Sequence, residues 1–159
     1  MTKKVSIEYF GMEGEGETVT KAKQDAGRKI EQAVCGSYAP YLIDLSEEIE
    51  GFVPMLIWRE PRNGWGSAWL RPGFMHYTYL GLDQSFEQVK SEATYAAFQA
   101  SWTLDWSDER SQYLADRYLS KSQAKEFMGW IDFQRRHALA REQGKSDTEA
   151  HAIACGLPI

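Results

Sequence analysis

The residues able to carry proton transfer or nucleophilic attack are few in this chain of 159 residues, and they stand far apart. Of its three histidines, His76 opens the run His76-Tyr77-Thr78 within a segment of alternating residues. One imidazole beside a threonine hydroxyl can serve as base or acid, but transfer at phosphorus needs a second imidazole in the opposite role. His137 is followed by Ala138 and Leu139, and His151 by Ala152 and Ile153, so neither repeats the pattern. Nor does either show the H-E-x-x-H spacing that sets two metal ligands on one helix face. Cys35 and Cys155 are read as isolated from any histidine, each beside a glycine at a helix end, and burial as small apolar residues is expected for both.

The remaining polar motifs fail on spacing. Gly66-Ser67 is followed by Ala68 and Trp69 instead of x-Gly, which rules out a nucleophile elbow. Ser85, Ser107, Ser120 and Ser146 all fall where helix caps are expected. The acids of Glu13–Glu17 and Glu47–Glu50 lack EF-hand spacing and read as solvated charge runs. Gly11, Gly14 and Gly16 do not form the dinucleotide fingerprint, and Glu13, Glu15 and Glu17 would repel a pyrophosphate, so a mobile turn is expected there. The lone His-x-Thr resembles half of the motif pair of two-histidine phosphoesterases, and the second half is missing. No catalytic residue, metal or cofactor is assigned.

Two constellations point to binding. Arg59, Arg62, Trp65, Trp69, Arg71, Tyr77 and Tyr79 alternate along turn-linked strands, a pattern in which bases stack on rings and guanidiniums meet phosphates. A second basic group, Arg135, Arg136 and Arg141 with His137 and Lys145, closes a long helix ahead of a turn and a short helix. That layout suits a helix-turn-helix, but cations late in a helix also simply complement its dipole. A three-stranded meander followed by a helix, ending here in Tyr79-Leu80-Gly81, resembles the DNA-reading modules of plant AP2 factors and of integrase arm-binding domains. The α-β-β-β-α order also resembles that of double-stranded-RNA-binding domains, without their lysine-rich helix start.

The elements that must position these residues follow from periodicity. Val5, Ile7 and Tyr9 alternate with Ser6 and Glu8 as in a half-buried strand. Val19, Ala22, Ala26, Ile30, Ala33 and Val34 fall on one helix face, closed by Gly36. Tyr41, Ile43 and Leu45 suggest a short strand, and Phe52 to Arg59 is apolar on both faces, as in a strand covered on two sides. Asn63-Gly64 and Pro72-Gly73 turn the chain between strands at Trp65–Arg71 and Phe74–Leu80. Ser85 with Gln88 opens a helix whose buried stripe runs from Phe86 through Val89, Ala93, Ala96, Ala97 and Ala100 to Leu104. Everything beyond is helical, with capping signals at Ser107, Ser120 with Gln123, and Ser146 with Glu149.

The expected fold is α+β: an antiparallel β-meander sheet with two helices packed on one face, against Gly66, Ala68 and Leu70, plus an all-helical C-terminal subdomain. The boundary is placed between an α+β core at 1–104 and helices at 105–159. Trp106, Phe127, Met128, Trp130, Ile131 and Phe133 need burial, and the aromatic sheet face is the partner expected for them. With 26% charged residues and a net charge of −5, whole-molecule electrostatics disfavour general binding to polyanions. No signal peptide or membrane span is read, and two free thiols suit a reducing cytoplasm. The functional expectation is a small cytoplasmic, non-catalytic protein that binds another protein through acidic or aromatic surface. An inhibitor or nucleic-acid mimic of mobile-element type belongs to this class, and the helical part offers a surface for a homodimer. The alternatives are a nucleic-acid binder using the aromatic and arginine sheet face, and an enzyme whose site is assembled from distant residues.

Overall fold

The computed structural model describes residues 3–34, 38–59, 64–71, 74–80 and 85–156. The chain forms an α+β fold with a helical C-terminal part. Its two compact units are Met1–Ser101 and Trp102–Ile159. The first contains β1 (Val5–Tyr9), β2 (Met12–Gly16), α1 (Val19–Val34), β3 (Tyr38–Ile43), β4 (Met55–Arg59), β5 (Trp65–Arg71), β6 (Phe74–Leu80) and α2 (Phe86–Ser101). The second contains α3 (Asp108–Tyr118), α4 (Lys121–Glu142) and α5 (Asp147–Ala154). Cys35, Gly36, Asn63 and Pro72-Gly73 lie outside the described residues.

The glycine-rich segment after β1, expected as a mobile turn, is instead strand β2, paired antiparallel with β1 from Val5↔Gly16 to Tyr9↔Met12. Phe10 and Gly11 make the two-residue turn, with φ of 47° and 80°. The glycines serve close approach. A Cβ at Gly14 would lie 2.1 Å from the Ala22 carbonyl oxygen and 2.8 Å from the Ala26 Cβ. The hairpin therefore lies directly on α1, whose Ala22 and Ala26 are fully buried. Thr18 accepts a hydrogen bond from the Lys21 amide at 3.1 Å and starts the helix.

The main sheet is a meander in the order β3-β4-β5-β6, antiparallel throughout. Its register aligns Leu42, Leu56 and Ala68 across three strands, with Trp58 opposite Gly66. These side chains share one face, because residues directly opposite point the same way. They pack with Tyr9, Ala26, Ile30 and Leu70 into one core beneath α1. The alternating residues Tyr41, Met55, Ile57 and Trp65 point to the other face, where Phe86 of α2 meets Tyr41 at 5.3 Å and Trp65 at 6.0 Å between ring centroids. The two helices thus divide between the faces and do not share the Gly66, Ala68 and Leu70 side. Strand β4 explains this: Met55, Leu56, Ile57 and Trp58 are all buried, so each face needs its own cover.

Two polar devices finish the unit. The Gln24 amide donates to the Leu42 carbonyl at 2.8 Å and accepts from the Leu42 amide at 2.9 Å, taking the place of a further strand along β3. The Ser101 hydroxyl donates to Ala97 O at 2.6 Å and accepts from the Val53 amide at 2.7 Å, which ties the end of α2 to the entry of β4. Val19 and Leu104, both placed inside by helical periodicity, are 43% and 53% exposed. Val19 is the first residue of α1, and Leu104 lies three residues beyond the end of α2, where the periodic pattern outruns the helix.

Beside the α1 core, Tyr9 donates to Asp44 Oδ2 at 2.8 Å, and Lys23 donates to the same oxygen at 3.1 Å. Burial acts to raise the Asp44 carboxyl, but hydrogen bonds from Ser46, Tyr9 and Lys23 outweigh it and hold the group below the usual carboxylate range. Burial, then the Asp44 charge, push the Tyr9 phenol well above its ordinary value.

A Cβ at Gly66 would sit 2.4 Å from the Trp58 indole, whereas one at Gly129 of α4 meets nothing within 4 Å. Urea unfolding should therefore show Gly66→Ala destabilising by about 1–3 kcal/mol. Gly129→Ala should stabilise by about 0.5–1 kcal/mol. For Asp44, a depressed native pKa means stability that is present above the unfolded value near ~4 and is lost as pH falls through the native one. Thermal melts should show the wild type losing stability across that acidic window. Asp44→Asn should start lower at neutral pH and fall less steeply.

Candidate interaction surface

Of the sheet residues picked out as a binding platform, the side chains of Arg59, Trp65 and Trp69 are described. Trp65 is 6% exposed, packed against Phe86, with the Arg59 guanidinium 5.2 Å from its ring centroid. Arg59 and Trp69 are half-buried. The register places Trp65 opposite Leu80 and Trp69 opposite His76, but Tyr77 opposite Ala68 and Tyr79 opposite Gly66. The tyrosine positions thus alternate with the tryptophan positions along the register. Arg62 and the side chains of Arg71, His76, Tyr77 and Tyr79 lie outside the described residues.

The second basic group is spent on internal partners. Arg135 donates to the carbonyls of Leu104, at 3.5 Å, and Trp106. Its guanidinium also lies 5.4 Å from the Trp102 ring centroid and pairs with Asp108 at 3.2 Å. It ties the 102–107 loop and the start of α3 to the middle of α4. Arg136 pairs with Asp132 at 2.9 Å, and Arg141 with Asp147 at 3.2 Å and the Lys145 carbonyl at 2.8 Å. Around Arg135 the aromatic side chains meet one another within the helical unit: Trp102 packs edge-on to Trp130 at 5.5 Å, and Phe127 stacks on Trp130 at 6.0 Å.

One contact escaped the sequence reading. The Cys155 thiol lies 3.6 Å from His151 Nε2, one helical turn away on α5. The signal was a His-x-x-x-Cys spacing, since residues four apart share a helix face. Cys155 is exposed, not buried as expected, and so is His151, so the pair stands in open water. Among the described residues, no group of three or more His, Cys, Asp or Glu converges closely enough to hold a metal ion, and no helix is long and apolar enough to cross a membrane.

The outer side of α3 is different in character. Ser107 caps this helix by accepting from the Arg110 amide at 3.1 Å. Its inner stripe is Ser111, Leu114 and Ala115, all buried. Between these positions the helix presents Glu109, Gln112, Tyr113 and Asp116 outward. They line an open groove of ≈ 530 Å³ together with Asp108 and Met128 of α4. Tyr113 is 61% exposed, the highest value among the large hydrophobic side chains described. Its hydroxyl accepts from Arg117 at 3.3 Å, and Asp116 accepts from Gln112 at 2.9 Å, which holds the stripe in an ordered array. Sequence reading took Leu114 and Tyr118 as the inward positions but did not single out the outward stripe; the pattern Glu-x-x-Gln-Tyr-x-x-Asp was its available signal.

Replacing Arg135 should expose the difference between a part-buried cation and a surface ion pair. Arg135→Met should lower the urea midpoint by the equivalent of about 1–2 kcal/mol, chiefly by removing the hydrogen bond to the part-buried Trp106 carbonyl and the guanidinium over Trp102. Arg136→Ala, which removes a surface i,i+4 pair, should change it by less than about 0.5 kcal/mol.

No protein-family model, curated protein or solved structure matches this chain.

Proposed function

We propose that the chain is a non-catalytic protein-binding protein, and that its contact surface is the acidic and aromatic outer face of α3. The observation that supports this reading is Tyr113, a large ring 61% exposed, which lines one open groove together with Asp108, Glu109 and Asp116. Tyrosine is enriched at interface centres because it buries a large area at small entropic cost. The carboxylates around it add orientation and on-rate more than affinity, and they discriminate against acidic partners.

The nucleic-acid alternative is less favoured. Arg135, Arg136 and Arg141 are each paired with a carboxylate of the chain itself, and Trp65 is packed beneath Arg59 and Phe86. A polyanion would have to displace these partners, and the net charge of −5 adds a long-range opposing term.

The test is affinity capture from a cell extract with the wild type and with a Tyr113→Asp/Asp116→Lys variant, both checked for native helix content. At least one protein should be retained by the wild type and lost by the variant. Identical retained sets would overturn the proposal.

A further inference from the structure

The outer edges of the two sheets are finished in different ways. On β2 the Glu15 amide donates to Asp25 Oδ2 at 2.9 Å, and the Glu13 carbonyl accepts from Lys29 Nζ at 3.0 Å, so side chains of α1 take the place of a neighbouring strand. On β3 the Gln24 amide does the same at Leu42, between Pro40, which has no N–H to offer, and the charged Asp44. Strand β1 carries Glu8, a charge of the kind that discourages edge pairing. The sequence of β6 has no such feature. Its seven residues, Phe74–Leu80, include no Pro, Gly, Asp, Glu, Lys or Arg, and its Phe, Tyr and Thr residues favour the extended state. Strand β5 lies on one side of it, and among the described residues no strand pairs with the other.

The register fixes which backbone groups face that other side. The Leu70 amide donates to the Pro54 carbonyl at 2.9 Å, toward β4, so by alternation the backbone groups of Trp65, Ser67 and Trp69 turn toward β6. Their partners there are Leu80, Thr78 and His76. The N–H and C=O groups of Met75, Tyr77 and Tyr79 therefore face away from β5, evenly spaced and centred on Tyr77.

We infer that this edge pairs with the same edge of a second copy of the chain, β6 against β6, antiparallel about a two-fold axis at Tyr77. Tyr77 then lies opposite the partner's Tyr77, and Met75 opposite the partner's Tyr79, each pair exchanging two hydrogen bonds. Donors and acceptors in extended spacing are complementary to a strand and not to a helix, whose own backbone groups are bonded internally. A second copy supplies that strand by symmetry, because an isologous contact only has to complement itself. Charge points the same way. Each copy carries a net charge of −5, and β6 is an uncharged stretch on which two such molecules meet without like charges opposite one another. This contact is separate from the α3 surface and stands whether or not that surface binds a protein.

The test is amide hydrogen exchange of the full-length protein, resolved to single residues by mass spectrometry, at about 1 μM and about 500 μM, beside sedimentation equilibrium over the same range. The mass should rise from monomer toward dimer. The amides of Met75, Tyr77 and Tyr79 should slow by at least about fivefold at the higher concentration, while those of His76, Thr78 and Leu80, already bonded to β5, change little. Tyr77→Pro, which removes one outward donor and leaves the ladder to β5 intact, should stay monomeric at about 500 μM with native helix content. A mass that stays monomeric with fast outward amides overturns the inference and leaves the edge to a strand of a different protein. A dimer in which those three amides exchange as fast as in the monomer also overturns it, since another surface then forms the dimer. Protection of the same amides in the dilute monomer overturns it as well, because the chain itself then covers the edge. Should Tyr77→Pro fail to fold, the wild-type exchange pattern decides alone.

Discussion

The constraint on which the first unit depends is that β4 has no polar face. Met55, Leu56, Ile57 and Trp58 follow one another without a break, and all four are buried. A strand of this kind cannot sit in a two-layer structure with one wet side, because alternate side chains would be left in water. Each face must therefore be covered. Helix α1 lies over Leu42, Leu56 and Ala68, and α2 brings Phe86 against Tyr41 and Trp65 on the opposite side. The β1-β2 hairpin then rests on α1, at glycines that let backbone approach backbone. The aromatic richness of the central strands is thus largely explained by burial from two directions.

Much of this was legible in the sequence. The boundaries of β5 and β6 follow from the two turn dipeptides, although the turns themselves lie outside the described residues. The capping pairs Ser85 with Gln88, Ser120 with Gln123, and Ser146 with Glu149 all form as reciprocal hydrogen bonds. Those signals are local, so a single sequence carries them in full. Strand β2 was missed because glycine between glutamates has low strand propensity, and its reason for being a strand, the close fit to Ala22 and Ala26, is tertiary. The side chosen by α2 was missed for a related cause. A stripe of valine and alanine says that a helix packs closely, not on which face of the sheet.

The candidate site was less legible than the fold. Alternating arginine and aromatic residues look alike whether the guanidinium awaits a phosphate or lies over a ring of its own chain, as Arg59 does over Trp65. The cations late in α4 pose the same ambiguity, and only the positions of Asp108, Asp132 and Asp147 resolve it in favour of internal pairing. In the reverse direction, the outward stripe of α3 reads as a solvated face, and the groove it lines with Met128 of α4 joins residues from two elements. In both cases the deciding information lies in which side chains remain uncovered after packing.

Trp65 is interior, packed under Phe86 and Arg59 as part of the sheet's cover. Fluorine NMR of 5-fluorotryptophan-labelled protein tests this directly, with the Trp65 resonance assigned by Trp65→Phe. A ring that is 6% exposed should show almost no change in shift between H2O and D2O, and none on adding oligonucleotide at low salt. A full solvent isotope shift, or line broadening with nucleic acid, would contradict the account and restore the sheet as the binding face.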